Sequence, residues 1–250
     1  MYYKEDKKGI ILEEGINEAD AMSAWLALAT SYSTHQQAMI PFYIFYSMFG
    51  FQRIGDLAWA SGDSQARGFL IGATAGRTTL NGEGLQHQDG HSHILANTIP
   101  NCKSYDATYA YELAVIIQDG LERMYGKKEN FFYYITTMNE NYNHPSIPEG
   151  VEQGIIAGVY KVDSTKLTKN KKKSFNVNLM GAGTILHEVI AASKILADEY
   201  SITSDIWSLT SINELVRDGQ EIDRWNMLNP EKNQKMAYIE RILEDSNGPF

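Results

Sequence analysis

The chain has 250 residues, a formal net charge of -9 and a hydrophobic fraction of 43%, with 4 Trp and 15 Tyr. That length allows one large domain or two ordinary ones, and the apolar and aromatic content argues against a disordered chain. The acidic balance argues against nucleic acid as the main partner, because phosphate contacts need clustered Lys and Arg.

Ile10-Ile11-Leu12 is a short apolar run that predicts a buried strand. From Ile16 the period becomes helical, with Ile16, Ala19, Met22, Leu26 and Ala29 on one face. Acidic residues gather at the start of that helix, where its dipole favours them, so Glu18 has an ordinary explanation as a helix-start charge. Pro41 to Phe51 is the most aromatic stretch. It reads as core running into a helix through Ile54, Leu57 and Ala58, or as an aromatic wall for a flat ring. Gly68 to Ile71 predicts a strand entering a glycine-rich run. Gly72-Ala73-Thr74-Ala75-Gly76-Arg77-Thr78 is not a P-loop: its glycines are one residue too close and Arg stands where Lys is needed.

After Pro100 a short strand is expected from Cys102. A helix follows with Leu113, Ile116, Ile117, Leu121 and Met124 on one face and Gly126 past its end. Phe131 to Thr136 is continuously apolar and β-rich, as in a strand covered on both faces. Asn139 to Glu149, with Pro145 and Pro148, is the best linker candidate. Ile155 to Val162 and Phe175 to Met180 read as two strands of a hairpin joined by the basic loop Lys169 to Lys173. That loop reads as a solvated tip. Gly181-Ala182-Gly183 opens a helix carrying Ile185, Val189, Ala192 and Leu196, but the third glycine of a nucleotide fingerprint is replaced by Leu186. A strand at Ile206 to Leu209 and helices at Ile212 to Val216 and Met236 to Leu243 complete the pattern. Alternating strands and helices imply a mostly parallel, doubly wound α/β architecture in both halves.

The single cysteine, Cys102, rules out an internal disulfide and suits a reducing, cytoplasmic setting. No family signature surrounds it, so a strand-edge or core place is expected. No apolar run reaches membrane-spanning length, and the charged start is not a signal peptide. No membrane partner is expected.

Leu85-Gln86-His87-Gln88-Asp89-Gly90-His91-Ser92-His93 holds three of the chain's 6 histidines. Such a polar loop between ordered elements is where functional side chains gather. Three readings stay open on the residues alone. His91 and His93, at i and i+2, could share a metal with Asp89, although the spacing fits no common zinc signature. The imidazoles could do acid–base work near neutrality. They could also simply hydrogen-bond a buried loop.

The words Gly15-Ile16-Asn17-Glu18, Gly50-Phe51-Gln52-Arg53-Ile54-Gly55-Asp56-Leu57 at the end of the run from Pro41, and Leu85 to His93 together resemble the homodimeric bacterial type of pyruvate dehydrogenase E1 component. Arg217-Asp218-Gly219-Gln220 and Arg224-Trp225-Asn226-Met227-Leu228 continue the resemblance, which runs essentially end to end. It implies a thiamin-diphosphate-binding fold. Residues 1–147 would be the pyrimidine-binding middle domain without its first part, and 148–250 the beginning of a transketolase-like C-terminal α/β domain. The family's Gly-Asp-Gly…Asn motif for Mg²⁺ and diphosphate is absent. The chain therefore reads as a fragment, with the magnesium and diphosphate ligands outside it and no metal ligand within.

The resemblance also implies roles. Glu18 matches the glutamate that hydrogen-bonds the aminopyrimidine N1′ atom. Tyr46 and Phe49 match aromatic positions along that ring, with Tyr43 nearby. His87 matches a histidine facing the substrate-derived adduct, and Asp89 and His93 match second-choice substrate residues of the related transketolase loop. Gln88 departs from the Glu expected there, which leaves the histidine pattern intact. The implied activity is that of pyruvate dehydrogenase (acetyl-transferring). It decarboxylates pyruvate and acetylates the lipoyl domain of the E2 dihydrolipoyl acetyltransferase, linking glycolysis to acetyl-CoA in the cytoplasm. The cofactor would lie across a homodimer, so the chain supplies half a site. The alternatives are a non-catalytic fragment that keeps dimer or E2 contacts and, more distantly, a metal-dependent hydrolase.

Overall fold

A computed structural model describes residues 4–73, 75, 84–167, 175–244, 246 and 248–249. Its first sheet has four strands, β1 (Phe42–Tyr46), β2 (Phe69–Ala73), β3 (Cys102–Asp106) and β4 (Phe132–Thr136), in the order β1-β2-β4-β3. Every pairing in it is parallel. β4 is an interior strand and all five of its residues are buried, which is why its sequence is apolar without alternation.

Adjacent residues of these strands feed two separate cores, because successive side chains leave a strand on opposite faces. Leu70, Phe132 and Tyr134 pack with Met22 and Trp25 of α1 (Glu18–Ala29) and Ile54 and Ala58 of α3 (Ser47–Asp63). The short α2 (Ser31–Thr34) and α4 (Ser92–Asn97) flank that layer. Phe69, Tyr105, Tyr133 and Ile135 pack with Ile116 of α5 (Ala110–Leu121), Met124 of the π-helical turn Glu122–Gly126, and Ile155 of α6 (Glu152–Ala157). Helices on both faces of a parallel sheet make the doubly wound layer expected of the sequence. Trp25 fastens α1 to it: its Nε1 donates to Phe69 O at 3.1 Å and Pro41 O at 3.2 Å.

The second sheet, β5 (Val159–Ser164), β6 (Asn176–Gly181) and β7 (Thr203–Leu209), has the order β5-β7-β6. The expected β5–β6 hairpin does not form. β7 lies between the two, parallel to β6 and antiparallel to β5. A parallel neighbour needs a crossover connection, and α7 (Ile185–Tyr200) supplies it, so β7 takes the place beside β6 that a hairpin partner would have filled. α8 (Ile212–Leu228) runs well past the short helix predicted there, and α9 (Tyr238–Leu243) follows.

Two further expectations give way. Ile10, Ile11 and Leu12 form no strand and are exposed, because no described element pairs with or covers them. Ile16 is likewise exposed and outside α1, whose buried stripe is Met22, Trp25 and Ala29. Gly72 lies inside β2, where a side chain would run into the Tyr134 hydroxyl and Ser47 Cβ, so close packing explains that glycine. The rest of the glycine-rich run, apart from Ala73, Ala75 and Gly84, and the basic loop Lys169 to Lys173 lie outside the described residues.

The halves are joined at β3, the edge strand of the first sheet. Ser211 Oγ donates to Ser104 O at 2.6 Å, Asp106 N donates to Thr210 O at 2.7 Å, and Arg217 of α8 donates to Cys102 O and Ile99 O. Cys102 is buried under this joint, and burial pushes its thiol far up. Nearby, the fully buried Glu112 accepts from Thr108 N (2.6 Å), Tyr109 N (2.9 Å), Tyr160 Oη (2.6 Å) and Ser208 Oγ (2.7 Å). Two of those donors are in each half. No helix among the described residues is long and apolar enough to cross a membrane.

Candidate functional site

Glu18 is the first residue of α1, but it does not cap the helix. Asn17 does so, accepting from Asp20 N at 3.2 Å. The half-buried Glu18 carboxyl instead pairs with Arg53 of α3. Tyr43, on β1, has its hydroxyl pushed up to about 12 by burial and by the Glu18 charge, with Arg53 opposing. Glu18, Arg53 and Tyr43 are therefore electrostatic neighbours although they come from three elements.

Tyr46 ends β1 and Phe49 sits in the first turn of α3, so the strand-to-helix corner presents two rings together. Their centroids are 6.2 Å apart. His87, at the end of a 3₁₀ turn (Leu85–His87), completes the wall: its ring lies 5.8 Å from Tyr46 and 5.5 Å from Phe49, edge-on to the latter. The Arg53 guanidinium lies 4.5 Å from the Phe49 ring centre. Phe49 and Arg53 are one helical turn apart, so both project from the same side of α3. The tertiary structure thus gathers Glu18, Tyr43, Tyr46, Phe49 and His87 from α1, β1, α3 and the histidine loop. Sequence reasoning missed Arg53 as a member. Its signal was its place four residues after Phe49, as the only cation between Pro41 and Leu57.

Asp89 and His93 face elsewhere. Asp89 is buried and accepts from His91 N at 3.1 Å, Ser92 N at 3.0 Å and the Ser92 hydroxyl. Burial alone would raise its carboxyl, but the hydrogen bonds from Ser92 and His91 hold it below the usual carboxylate value. His93 Nε2 lies 2.8 Å from Thr136 Oγ1, whose hydroxyl donates to Asp106 at 2.7 Å. Thr136 has only one proton to give, so His93 must donate through Nε2, leaving Nδ1 as an acceptor. Burial lowers the His93 imidazole pKa, with Asp106 and Asp89 opposing. His91 turns its Nε2 to Gln52 at 2.8 Å. The imidazoles that might have shared a metal thus turn to different partners, and no metal-binding group of three or more His, Cys, Asp or Glu occurs among the described residues.

Asp89, His91 and His93 line a cleft of about 410 Å³ with Asp106, Thr136 and Asn213. Gly181 and Leu209, at the C-terminal ends of β6 and β7, line it too. Crevices at the C-terminal ends of parallel strands are the usual ligand-binding places of open α/β sheets. The histidine loop therefore serves two places: His87 stands in the aromatic wall, and His91 and His93 stand in the cleft.

Asp89 gives a pH prediction. Its folded-state pKa is depressed, so its contribution to stability is present above the unfolded value and is lost as pH falls through the folded one. Thermal unfolding followed from neutrality down to acid should fall steeply below about pH 4. Asp89→Asn should be less stable at neutrality and show a shallower acid decline; a decline parallel to that of the unsubstituted chain would refute the assignment.

Among solved structures, the fold resembles that of transketolases. The chain aligns with transketolase from Leishmania mexicana at TM-score 0.60 and 15% identity, covering 81% of this chain and 27% of that one. A Pichia stipitis transketolase aligns at TM-score 0.51 over 69% of this chain and 23% of that one, also at 15% identity. The sequence profile described as "Pyruvate dehydrogenase E1 component middle domain" matches residues 1–145, and that of the "Transketolase-like TK C-terminal domain" matches 158–250. The chain belongs to the pyruvate dehydrogenase E1 component family. It is 61% identical over 249 residues to the Pseudomonas aeruginosa protein named "Pyruvate dehydrogenase E1 component", covering 100% of this chain and 28% of that protein. To the Escherichia coli K12 protein of the same name it is 62% identical over 246 residues, covering 98% and 27% respectively. The chain spans about a quarter of the length of these relatives.

Proposed function

We propose that this chain carries the aminopyrimidine-facing half of a thiamin-diphosphate site in a pyruvate dehydrogenase acting on pyruvate. The observation that carries this reading is the half-buried Glu18 carboxyl, near Tyr43 and paired with Arg53, whose guanidinium lies over Phe49 in the wall of Tyr46, Phe49 and His87. A carboxyl next to aromatic faces fits a flat, nitrogen-bearing ring: the faces take its apolar area and the carboxyl takes one ring nitrogen. When bound, the cofactor supplies the electron sink for decarboxylating a 2-keto acid.

Glu18 holds a proton against the ring nitrogen, and Tyr43, Tyr46 and Phe49 form the surface that orients the ring and excludes water. His87, at the far side of the same wall, positions or protonates the substrate-derived group. The separate cleft, where His93 meets Thr136, belongs with the second-choice residues Asp89 and His93. The ligands for Mg²⁺ and the diphosphate lie outside this chain, and a homodimer completes the site. Acetyl transfer to the lipoyl domain of E2, in the cytoplasm, is part of this proposal. So is a boundary between a middle domain, 1–147, and the start of a C-terminal domain, 148–250.

The alternative is a non-catalytic piece that keeps dimer or E2 contacts, and the chain's quarter share of its relatives' length favours it for the chain in isolation. The chain alone, given pyruvate, thiamin diphosphate and Mg²⁺, should show little CO₂ release; substantial turnover would overturn the half-site reading. For the whole enzyme the suitable material is a full-length E1 component carrying this chain in place of its matching segment. There His87→Ala should slow acetyl transfer to lipoyl about 100-fold while leaving exchange of the cofactor C2 proton nearly unchanged. If only cofactor affinity moved, His87 would have another role.

A further inference from the structure

We propose that Gln52 is a positioning residue for His87: its hydrogen bond to His91 ties the histidine loop to α3 and sets the place of the His87 ring in the aromatic wall. This rests on the reading of His87 given above. Gln52 lies three residues after Phe49, so the two side chains leave the same side of α3. The Gln52 side-chain nitrogen donates to Met48 O at 3.0 Å and lies 2.8 Å from His91 Nε2. A carbonyl only accepts, so the atom facing Met48 must be the amide nitrogen, and its second proton goes to the imidazole. His91 Nε2 is therefore the acceptor. The ring proton sits on Nδ1, on the side of Asp89, whose Oδ1 lies 3.8 Å away.

Asp89 accepts from His91 N and Ser92 N and so anchors the loop to the start of α4. The histidine loop is thus held at two neighbouring points, by Asp89 to α4 and by the His91 ring to α3. The second hold closes a short circuit. It runs from Phe49 along one turn of α3 to Gln52, across to His91, back along the loop to His87, and from the His87 ring to Phe49 at 5.5 Å. Aromatic contacts persist over centroid separations of about 4.5–7 Å. A hydrogen bond is confined to a range of about half an ångström, so the Gln52–His91 bond is the part of the circuit that fixes the spacing. Gln52 is exposed and His91 half-buried, so losing the bond should cost the fold little. Its effect falls on the direction of one ring.

The test uses the full-length E1 component carrying this chain, with pyruvate, thiamin diphosphate and Mg²⁺. Gln52→Met keeps the length of the side chain and loses the donor. It should slow acetyl transfer to lipoyl about tenfold, because a small displacement of a group that meets the substrate is costly. Exchange of the cofactor C2 proton and the thermal midpoint should stay nearly unchanged. Labelling by diethyl pyrocarbonate, read at His87 by mass spectrometry, should become faster. His91→Ala should behave alike, and the double variant no worse than either, since all three lose the same bond. His91→Gln, whose amide oxygen can accept near the place of Nε2, should restore most of the rate. Unchanged transfer and labelling in Gln52→Met, or additive losses in the double variant, would overturn the proposal. His87→Ala separates the two levels. If it leaves acetyl transfer unchanged, the reading of His87 fails. The labelling then decides the brace alone: faster labelling of His87 in Gln52→Met upholds it, and unchanged labelling refutes it.

Discussion

Replacing Glu112 with alanine should destabilise the chain by about 3–5 kcal/mol. The carboxyl is fully buried and accepts from four donors, the amides of Thr108 and Tyr109 and the hydroxyls of Tyr160 and Ser208. Removing it orphans all four in a place with no solvent, and each unmet buried donor costs on the order of 1–3 kcal/mol before relaxation. The loss should appear as a lower urea midpoint, and as faster proteolysis between residues 137 and 151, where the chain crosses from one half to the other without regular structure. Tyr160 is one of these four donors, and its hydroxyl in turn accepts from that of Tyr111, the two oxygens lying 2.5 Å apart. Tyr160→Phe should therefore cost less, about 1 kcal/mol. A Glu112→Ala loss below about 1 kcal/mol would show that the joint between the halves is held elsewhere, for instance by Arg217 and Ser211.

Glu18→Gln should slow exchange of the cofactor C2 proton by about 100- to 1000-fold in the full-length protein, with turnover falling alongside. Glutamine keeps the length and the hydrogen-bonding head but cannot accept and return a proton, so cofactor affinity should change much less than the exchange rate. The comparison of the two readouts decides the matter. Exchange measured by quenched hydrogen–deuterium labelling that stays at the unsubstituted rate would remove Glu18 from the chemistry and leave it as the helix-start charge that its sequence context suggests. Such a residue needs no partner on another element, yet Glu18 pairs with Arg53 of α3.

Much of the fold was legible beforehand. The unbroken apolar run Phe131 to Thr136 announced a strand buried on both faces, and β4 lies in the interior of the sheet for that reason. The helical period through Leu113, Ile116 and Leu121 announced α5, because a helix against a sheet buries one stripe. Pairing partners were not legible. The β5–β6 hairpin was inferred from sequence adjacency, whereas β7, which follows only after α7, takes the position between them. Ile10 to Leu12 looked like a strand because apolar runs usually are one, but burial depends on a covering layer and no described element provides it.

At the candidate site the sequence by itself determined the residue types: an acid at a helix start, an aromatic corner between strand and helix, and a histidine-rich loop. It also determined the family, because long words match in order. Only the tertiary structure decided who stands beside whom. It set Glu18 against Arg53 and put His87 rather than His91 or His93 in the aromatic wall. These are contacts between elements 30 or more residues apart, or choices among neighbouring histidines that share a composition but not a direction. Side-chain direction follows from where a turn ends and which sheet edge it meets, and no local pattern of residues encodes that.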